Sequence, residues 1–587
     1  MKTTIGKGLL AVLLGAALIA AACGGGSDAG GGDDPAIEPE NIPRGGTLRM
    51  AGTTDVDFMD PGAMYYTASF LLARGVHRQL ITYPSTEDRA AQRELVADLA
   101  TDTGTVSEDG MEWTFTLRDG IKYGPALGGE DVAGVTGAEI TADDIVYAVE
   151  RQFNPSVGAG YSFYYEVIEG AKEFADGKAK SISGIETPDD KTLVFNLTEP
   201  AGDFSFRLSM PAISPVPREY AQQFDKKKDS DYDNHVVASG PYYISEWSPD
   251  ERIRLERNEH WDPATDEVRE AYVDEVDWKL GFDREVGFEQ VKDGDYQLGI
   301  DVDPQGPSLE RVVNDPDLSD QLINEVSSCT RFIFLNTTVE PFDDVKVRQA
   351  VAYAIDRANI KRVFGGPVTG PIATSVIPES LAGGLSPEEY NPFGSENMAG
   401  DMAKAKELMS EAGFPNGYDG EVLMVGASDP PHDRIAESVR ADLEELGFSN
   451  LNVRTPSFPN NYTQFYQVPS QEVAIGTSPG WCTDFPESST FIEPVFNGAN
   501  INPSNTQNFA MLDDPEVNQK IEDALAMPLG AERDEAWADL NRQITELAAW
   551  VPWSWDSETI FHHDDLINPI YIEFFAHVDW PNAGVRQ

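Results

Sequence analysis

The stretch Gly480-Trp481-Cys482-Thr483-Asp484-Phe485 sets a large aromatic, a cysteine and a carboxylate side by side. It follows Val473-Ala474-Ile475, a short apolar run that reads as a strand, so the group falls at a strand end. There Trp481 can wall a cleft and Asp484 can face an amine, which is chemistry for holding a cationic or peptidic ligand. Each residue also has a plainer use. An aspartate after a strand commonly serves a turn, and a tryptophan commonly packs in a core.

Other groupings suggest catalysis or metal binding and do not carry it. Gly476-Thr477-Ser478-Pro479-Gly480 spells a nucleophile elbow, but that motif needs a following helix and a backbone N–H just after the serine. Pro479 has no N–H, so Ser478 is not expected to act as a nucleophile. His562-His563-Asp564-Asp565 lacks a spaced ligand partner, and neighbours in extended chain point apart. Asp229, Asp231 and Asp233 begin like a calcium loop, yet its sixth position is Asn234 and its twelfth Gly240. No phosphate-cradling loop or zinc spacing is present. The expectation is a binding protein with no enzyme activity, no cofactor and no metal.

The elements that must position Asp484 belong to a chain of 587 residues, long enough for two or more lobes. A hydrophobic fraction of 41% supplies their cores. Against 43 basic residues stand 100 acidic ones, a net charge of -57 spread along the chain, which disfavours nucleic acid and purely electrostatic attachment to anionic membranes.

Residues 1–22 read as a targeting segment: Lys2 and Lys7, an apolar stretch from Gly8 to Ile19, then Ala20-Ala21-Ala22-Cys23-Gly24. The last group looks like a bacterial lipobox with Cys23 as lipid anchor, and the glycine-rich run after it suits a flexible tether over residues 23–44. With Cys23 set aside, 2 of the 3 cysteines remain, Cys329 and Cys482. In an oxidising exterior a bridge between them is expected, the alternative being two buried free thiols.

Trp113-Thr114-Phe115-Thr116-Leu117 alternates as a strand, and Thr141-Ala142-Asp143-Asp144 opens a helix like a capping box. A helix is expected over 345–364, and strand, helix and strand over 421–425, 435–446 and 451–454 predict a βαβ unit. Further helices are expected over 515–527 and 531–549, then an aromatic, extended end in which Trp553 and Trp555 share a strand face.

These pieces, in order, resemble the dipeptide/oligopeptide-binding lipoproteins of bacterial ABC importers, extracellular solute-binding protein family 5. The resemblance runs from about Gly45 to the C-terminus. It rests on Gly45-Gly46-Thr47-Leu48, Ser239-Gly240-Pro241-Tyr242 with Arg257-Asn258-Glu259-His260-Trp261, Pro341-Phe342-Asp343-Asp344 with Val347-Arg348-Gln349-Ala350, Ala354-Ile355-Asp356-Arg357, and the Trp481–Asp484 turn. It implies an α/β periplasmic-binding-protein-like fold of the cluster C type, two lobes on a hinge with an extra α/β domain on the first. Lobe I would be residues 45–82, 212–328 and 552–587, the extra domain 83–211, and lobe II 329–551.

The resemblance also implies an extracytoplasmic monomer, held to the membrane by lipid on Cys23, that closes on a peptide and serves an ABC permease and ATPase. Asp484 would bind the peptide's α-amino group, and Cys482 would pair with Cys329. Trp481, Cys482, Thr483, Tyr65, Tyr66 and Trp555 would line the cleft. The chain departs from the family at Pro486-Glu487-Ser488, where many members have Pro-Asp-Pro, and at Ser478, where some carry a basic residue for a ligand carboxylate. The same scaffold serves oligosaccharides, nickel complexes and other small solutes. A secreted hydrolase is the reading from another class.

Overall fold

Strand Thr47–Gly52 buries Leu48 and Met50 and exposes Arg49 between them, the period of a strand with one face on a core. The computed structural model describes residues 41–587 except 227, 458, 459, 504 and 505; the targeting segment, Cys23 and most of the tether lie outside the described residues. The strand runs parallel to Glu275–Lys279, with Leu48 opposite Val276 and Met50 opposite Trp278, and to Leu298–Ile300. Antiparallel strands Arg252–Arg257 and Tyr242–Ser248 complete a five-stranded sheet.

A separate four-stranded antiparallel sheet joins Thr105–Val106, Glu112–Thr116, Thr192–Asn196 and Ile185–Asp189. Trp113 and Phe115 point inward as their alternation predicts. Helix Ala142–Gln152 begins at the expected capping box: Asp144 Oδ2 accepts the Thr141 N–H at 2.9 Å. The apolar faces of both sheets belong to one continuous core, so the smaller sheet is an addition to the first lobe.

The second lobe is built on a six-stranded mixed sheet, ordered Leu451–Arg454, Val422–Val425, Ile475–Gly476, Leu322–Leu335 and Gly480–Cys482, with Trp550–Phe561 also paired to Leu322–Leu335. The expected βαβ unit is present. Val422–Val425 and Leu451–Arg454 are parallel, and helix His432–Leu446 between them buries Ile435, Val439, Leu443 and Leu446 at helical spacing. The single helix expected over 345–364 is instead two, Val345–Ala354 and Arg357–Phe364. Asp356 breaks it: its carboxylate accepts the Asn359 N–H at 2.8 Å and caps the second helix.

Two long strands join the lobes. Leu322–Leu335 and Trp550–Phe561 pair antiparallel from Leu322 opposite Phe561 to Phe334 opposite Trp550, with register shifts near Val326–Thr330 and Arg331–Phe332. At one end Ile323, Ile560 and Phe561 pack on first-lobe cores; at the other, Phe332 to Leu335 lie in second-lobe cores. Register shifts bend a ladder locally, and these sit where the pair passes between the lobes. Among the described residues no helix is long and apolar enough to cross a membrane.

Candidate functional site

The Trp481–Asp484 turn is held from two sides. Strand Gly480–Cys482 pairs with the long strand, Cys329 directly opposite Cys482, and the two cysteines are bridged. On the other side lies helix Ser489–Phe496, which carries Pro494 in its interior. A proline gives no N–H to the carbonyl four residues earlier, here that of Thr490. The Trp481 indole fills the vacancy, Nε1 donating to Thr490 O at 3.0 Å. Thr490 Oγ1 also meets Thr483 Oγ1 at 2.6 Å and accepts the Asp484 N–H at 3.3 Å. The departure at Pro486-Glu487-Ser488 proves to be a buried anchor. Glu487 Oε1 accepts from Arg533 Nε at 2.8 Å and Trp537 Nε1 at 2.9 Å, while Oε2 accepts the Ser489 N–H at 2.5 Å.

A cavity of about 810 Å³ opens beside this turn. Trp481, Asp484 and Glu493 form one wall, and Tyr65, Tyr161 and Tyr164 the other. The tyrosines make a ladder: Tyr65 stacks on Tyr161 with centroids 5.7 Å apart, and Tyr161 on Tyr164 at 6.2 Å. Asp57 fixes its upper end, Oδ2 accepting the N–H groups of Tyr65 at 2.8 Å and Tyr66 at 3.1 Å. At its foot Tyr164 Oη donates to Asp484 Oδ2. The walls also touch where Ser489 Oγ donates to Asp203 Oδ2 at 2.7 Å and where Phe206 stacks on Phe485 at 5.8 Å.

Burial raises the Asp484 carboxyl to about 6, with the Tyr164 hydroxyl pulling the other way. Among the described residues no arginine, lysine or histidine pairs with it. Burial, and after it the Asp484 charge, pushes the Tyr161 and Tyr164 phenols up. Asp203 differs: burial would raise it, but Arg207 and Arg533 bring it below the usual carboxylate range. The site can therefore receive a cation at Asp484 between aromatic faces, an arrangement that strengthens charge–charge and cation–π contacts by excluding water.

Of the residues expected at a ligand, the structure brings Asp484, Trp481 and Tyr65 to this cavity. Tyr66 caps helix Thr67–Val76 and turns to solvent. Thr483 spends its hydroxyl on Thr490 and on the Phe485 carbonyl. Cys482 is committed to the bridge. Trp555 lies apart from this cavity. It is fully buried and is not part of the cavity wall, because its strand is covered on both faces there, with the loop at Gly370 and Pro371 lying against its backbone. Ser478 is buried, and a strand rather than a helix follows it. Tyr161, Tyr164, Arg207 and Glu493 were not anticipated. The glycine-flanked aromatic run from Gly160 to Tyr165 and the Glu493-Pro494 step inside a helix were the available signals. Among the described residues no group of three or more histidine, cysteine or acidic side chains could hold a metal.

The sequence pattern of the bacterial extracellular solute-binding proteins, family 5 Middle, matches residues 94–503. Heme-binding protein A of Haemophilus influenzae is 25% identical over 455 residues, 76% of this chain and 76% of that protein. The periplasmic oligopeptide-binding protein OppA of Salmonella typhimurium is 26% identical over 459 residues, 76% of this chain and 77% of that protein. Among solved structures, clavulanic acid biosynthesis oligopeptide binding protein 2 has a TM-score of 0.85 and 29% identity, covering 93% of this chain and 97% of that one.

Proposed function

Since the chain belongs to the bacterial extracellular solute-binding proteins of family 5, the extracytoplasmic binding components of ABC importers and not enzymes, we propose that its ligand is a peptide with a free N-terminus, whose α-ammonium meets Asp484. The observation that carries this reading is a half-buried carboxylate with no cation paired to it among the described residues, at the foot of an aromatic cavity between two walls. An ionised carboxylate out of water is costly unless paired, and a ligand ammonium supplies the missing charge. Peptide capture then draws Trp481 and the tyrosine ladder around the chain, and rotation about the paired strands Leu322–Leu335 and Trp550–Phe561 closes the lobes for delivery to a permease. In this reading lobe I comprises residues 45–82, 212–328 and 552–587, the extra domain 83–211 and lobe II 329–551, and the protein works as a monomer anchored by lipid on Cys23. An uncharged sugar could stack on the tyrosines but would leave Asp484 unpaired.

Titration calorimetry with tetra-alanine and its N-acetylated form tests the proposal. The free amine is expected to bind and the acetylated peptide to bind at least about thirtyfold more weakly, the loss of a charge-assisted pair. Equal binding of the two, or binding of neither, overturns it.

A further inference from the structure

Besides Asp484 and the exposed Glu199 on the opposite wall, the cavity holds one more carboxylate with no cation paired to it among the described residues. Glu493 lines it from helix Ser489–Phe496, half-buried, and its Oε1 accepts only a neutral amide, Asn500 Nδ2 at 2.7 Å. The cavity's two basic groups are paired with other carboxylates of its lining. Arg207 holds Asp203 at 2.9 Å, and Lys172 stands 3.7 Å from Glu166. Burial raises the Glu493 carboxyl, with the Asn500 amide and then the Arg207 charge lowering it only in part. The wall that carries Asp484 is thus short of two positive charges, not one.

The spacing of the two carboxylates is built in. Thr490 accepts the Asp484 N–H through Oγ1 and the Trp481 indole through its carbonyl, and Glu493 lies three residues further along the same helix. Residues three apart on a helix share a face. Trp481 and Pro494 line the same wall, and the tyrosine ladder stands opposite. A ligand on this wall therefore meets two anionic groups together with aromatic surface. That combination suits an ammonium and a second cation joined by an apolar stem, the make-up of a peptide bearing lysine or arginine. A ligand with one cation leaves Glu493 to be dehydrated unpaired or to take up a proton.

Resting on the peptide reading, we propose that Glu493 is a second cation subsite, so that the protein selects peptides carrying a lysine or arginine side chain together with a free N-terminus and disfavours acidic peptides.

The test is a positional scan by calorimetry: tetra-alanine, then the same peptide with a single arginine, lysine or glutamate at each position in turn. At one position or more, arginine or lysine is expected to bind at least about tenfold tighter than alanine and glutamate more weakly, from pairing a desolvated charge. In Glu493→Gln, which keeps the acceptor for Asn500, the ratio of basic to alanine peptide should fall to within about twofold of one. In Glu493→Lys the preference should pass to the glutamate peptide. Tetra-alanine binding without a gain from a basic side chain, or a gain that survives in Glu493→Gln, overturns this inference and leaves the peptide reading standing. Failure of every peptide to bind overturns both.

Discussion

Tyr164 and Asp484 meet across the cavity, the phenol donating to the carboxylate although 320 residues separate them. The contact joins the wall that carries the added four-stranded sheet to the wall that carries the disulfide-braced turn. It gives a half-buried carboxylate one neutral donor in place of a cation. Tyr164 therefore both supports Asp484 and tunes it, and most of the expected behaviour of the site follows from this pair.

Asp484→Asn keeps the shape and a hydrogen-bonding oxygen but removes the charge. Affinity for peptides with a free amine should fall by about 2–5 kcal/mol while the thermal midpoint changes little. Calorimetry and thermal unfolding on the same preparation check this, and unchanged affinity would show that the amine binds elsewhere.

Binding should weaken in acid. Asp484 titrates at about 6 in the unliganded protein and must be ionised to receive an ammonium. Affinity should then be nearly level above pH 7 and about tenfold lower at pH 5. The stability contribution has the opposite sense. A raised carboxyl favours the folded state below its ordinary range, and that contribution is lost as pH rises through about 6. Affinity and thermal midpoint measured from pH 5 to 8 in the natural protein and in Asp484→Asn separate the two, the difference between the proteins isolating Asp484 from Asp303, Asp442 and Glu558, which are also raised into this range.

Tyr164→Phe removes the donor that holds the Asp484 carboxyl down. The midpoint of the pH–affinity curve should move upward, and affinity at pH 7 should drop by about 1 kcal/mol, the worth of one hydrogen bond. A loss of affinity with an unmoved midpoint would mean that Tyr164 acts only as an aromatic wall.

Trp481 and Pro494 should be coupled through the Thr490 carbonyl. Trp481→Phe leaves that acceptor without the indole and is expected to destabilise by about 1–3 kcal/mol. Adding Pro494→Ala supplies a helical N–H to the same carbonyl, so the double variant should regain part of the loss. Additive effects in the four-way stability comparison would contradict the arrangement.

Reducing the bridge should loosen the turn. Cys329 and Cys482 lie 153 residues apart, and a native bridge stabilises by about 2–4 kcal/mol in typical cases. Cys482 is exposed to reductant. A thermal midpoint lowered by dithiothreitol in the natural protein, but not in the double serine variant, is the expected result.

Local pattern was enough for much of this molecule. Period-two alternation marked Trp113 to Leu117, helical spacing marked 435–446, and the order of short motifs marked the family and the turn that carries Asp484. Cys329 and Cys482 could be paired from their number and compartment before any geometry. What local pattern did not show has a shared cause. Trp555 sits on a strand covered from both sides, where alternation no longer separates inside from outside. Asp356 split a periodic helix by capping its own backbone, a competition that apolar spacing does not register. Tyr161, Tyr164 and Glu493 acquire a role only when the lobes bring distant segments to one cavity. Sequence spacing encodes which face of its own element a residue takes; what stands opposite that face is set by chain closure over hundreds of residues. Asp484 was legible as a charge awaiting a partner, and only the tertiary structure supplied the phenol beneath it and the second carboxylate along its wall.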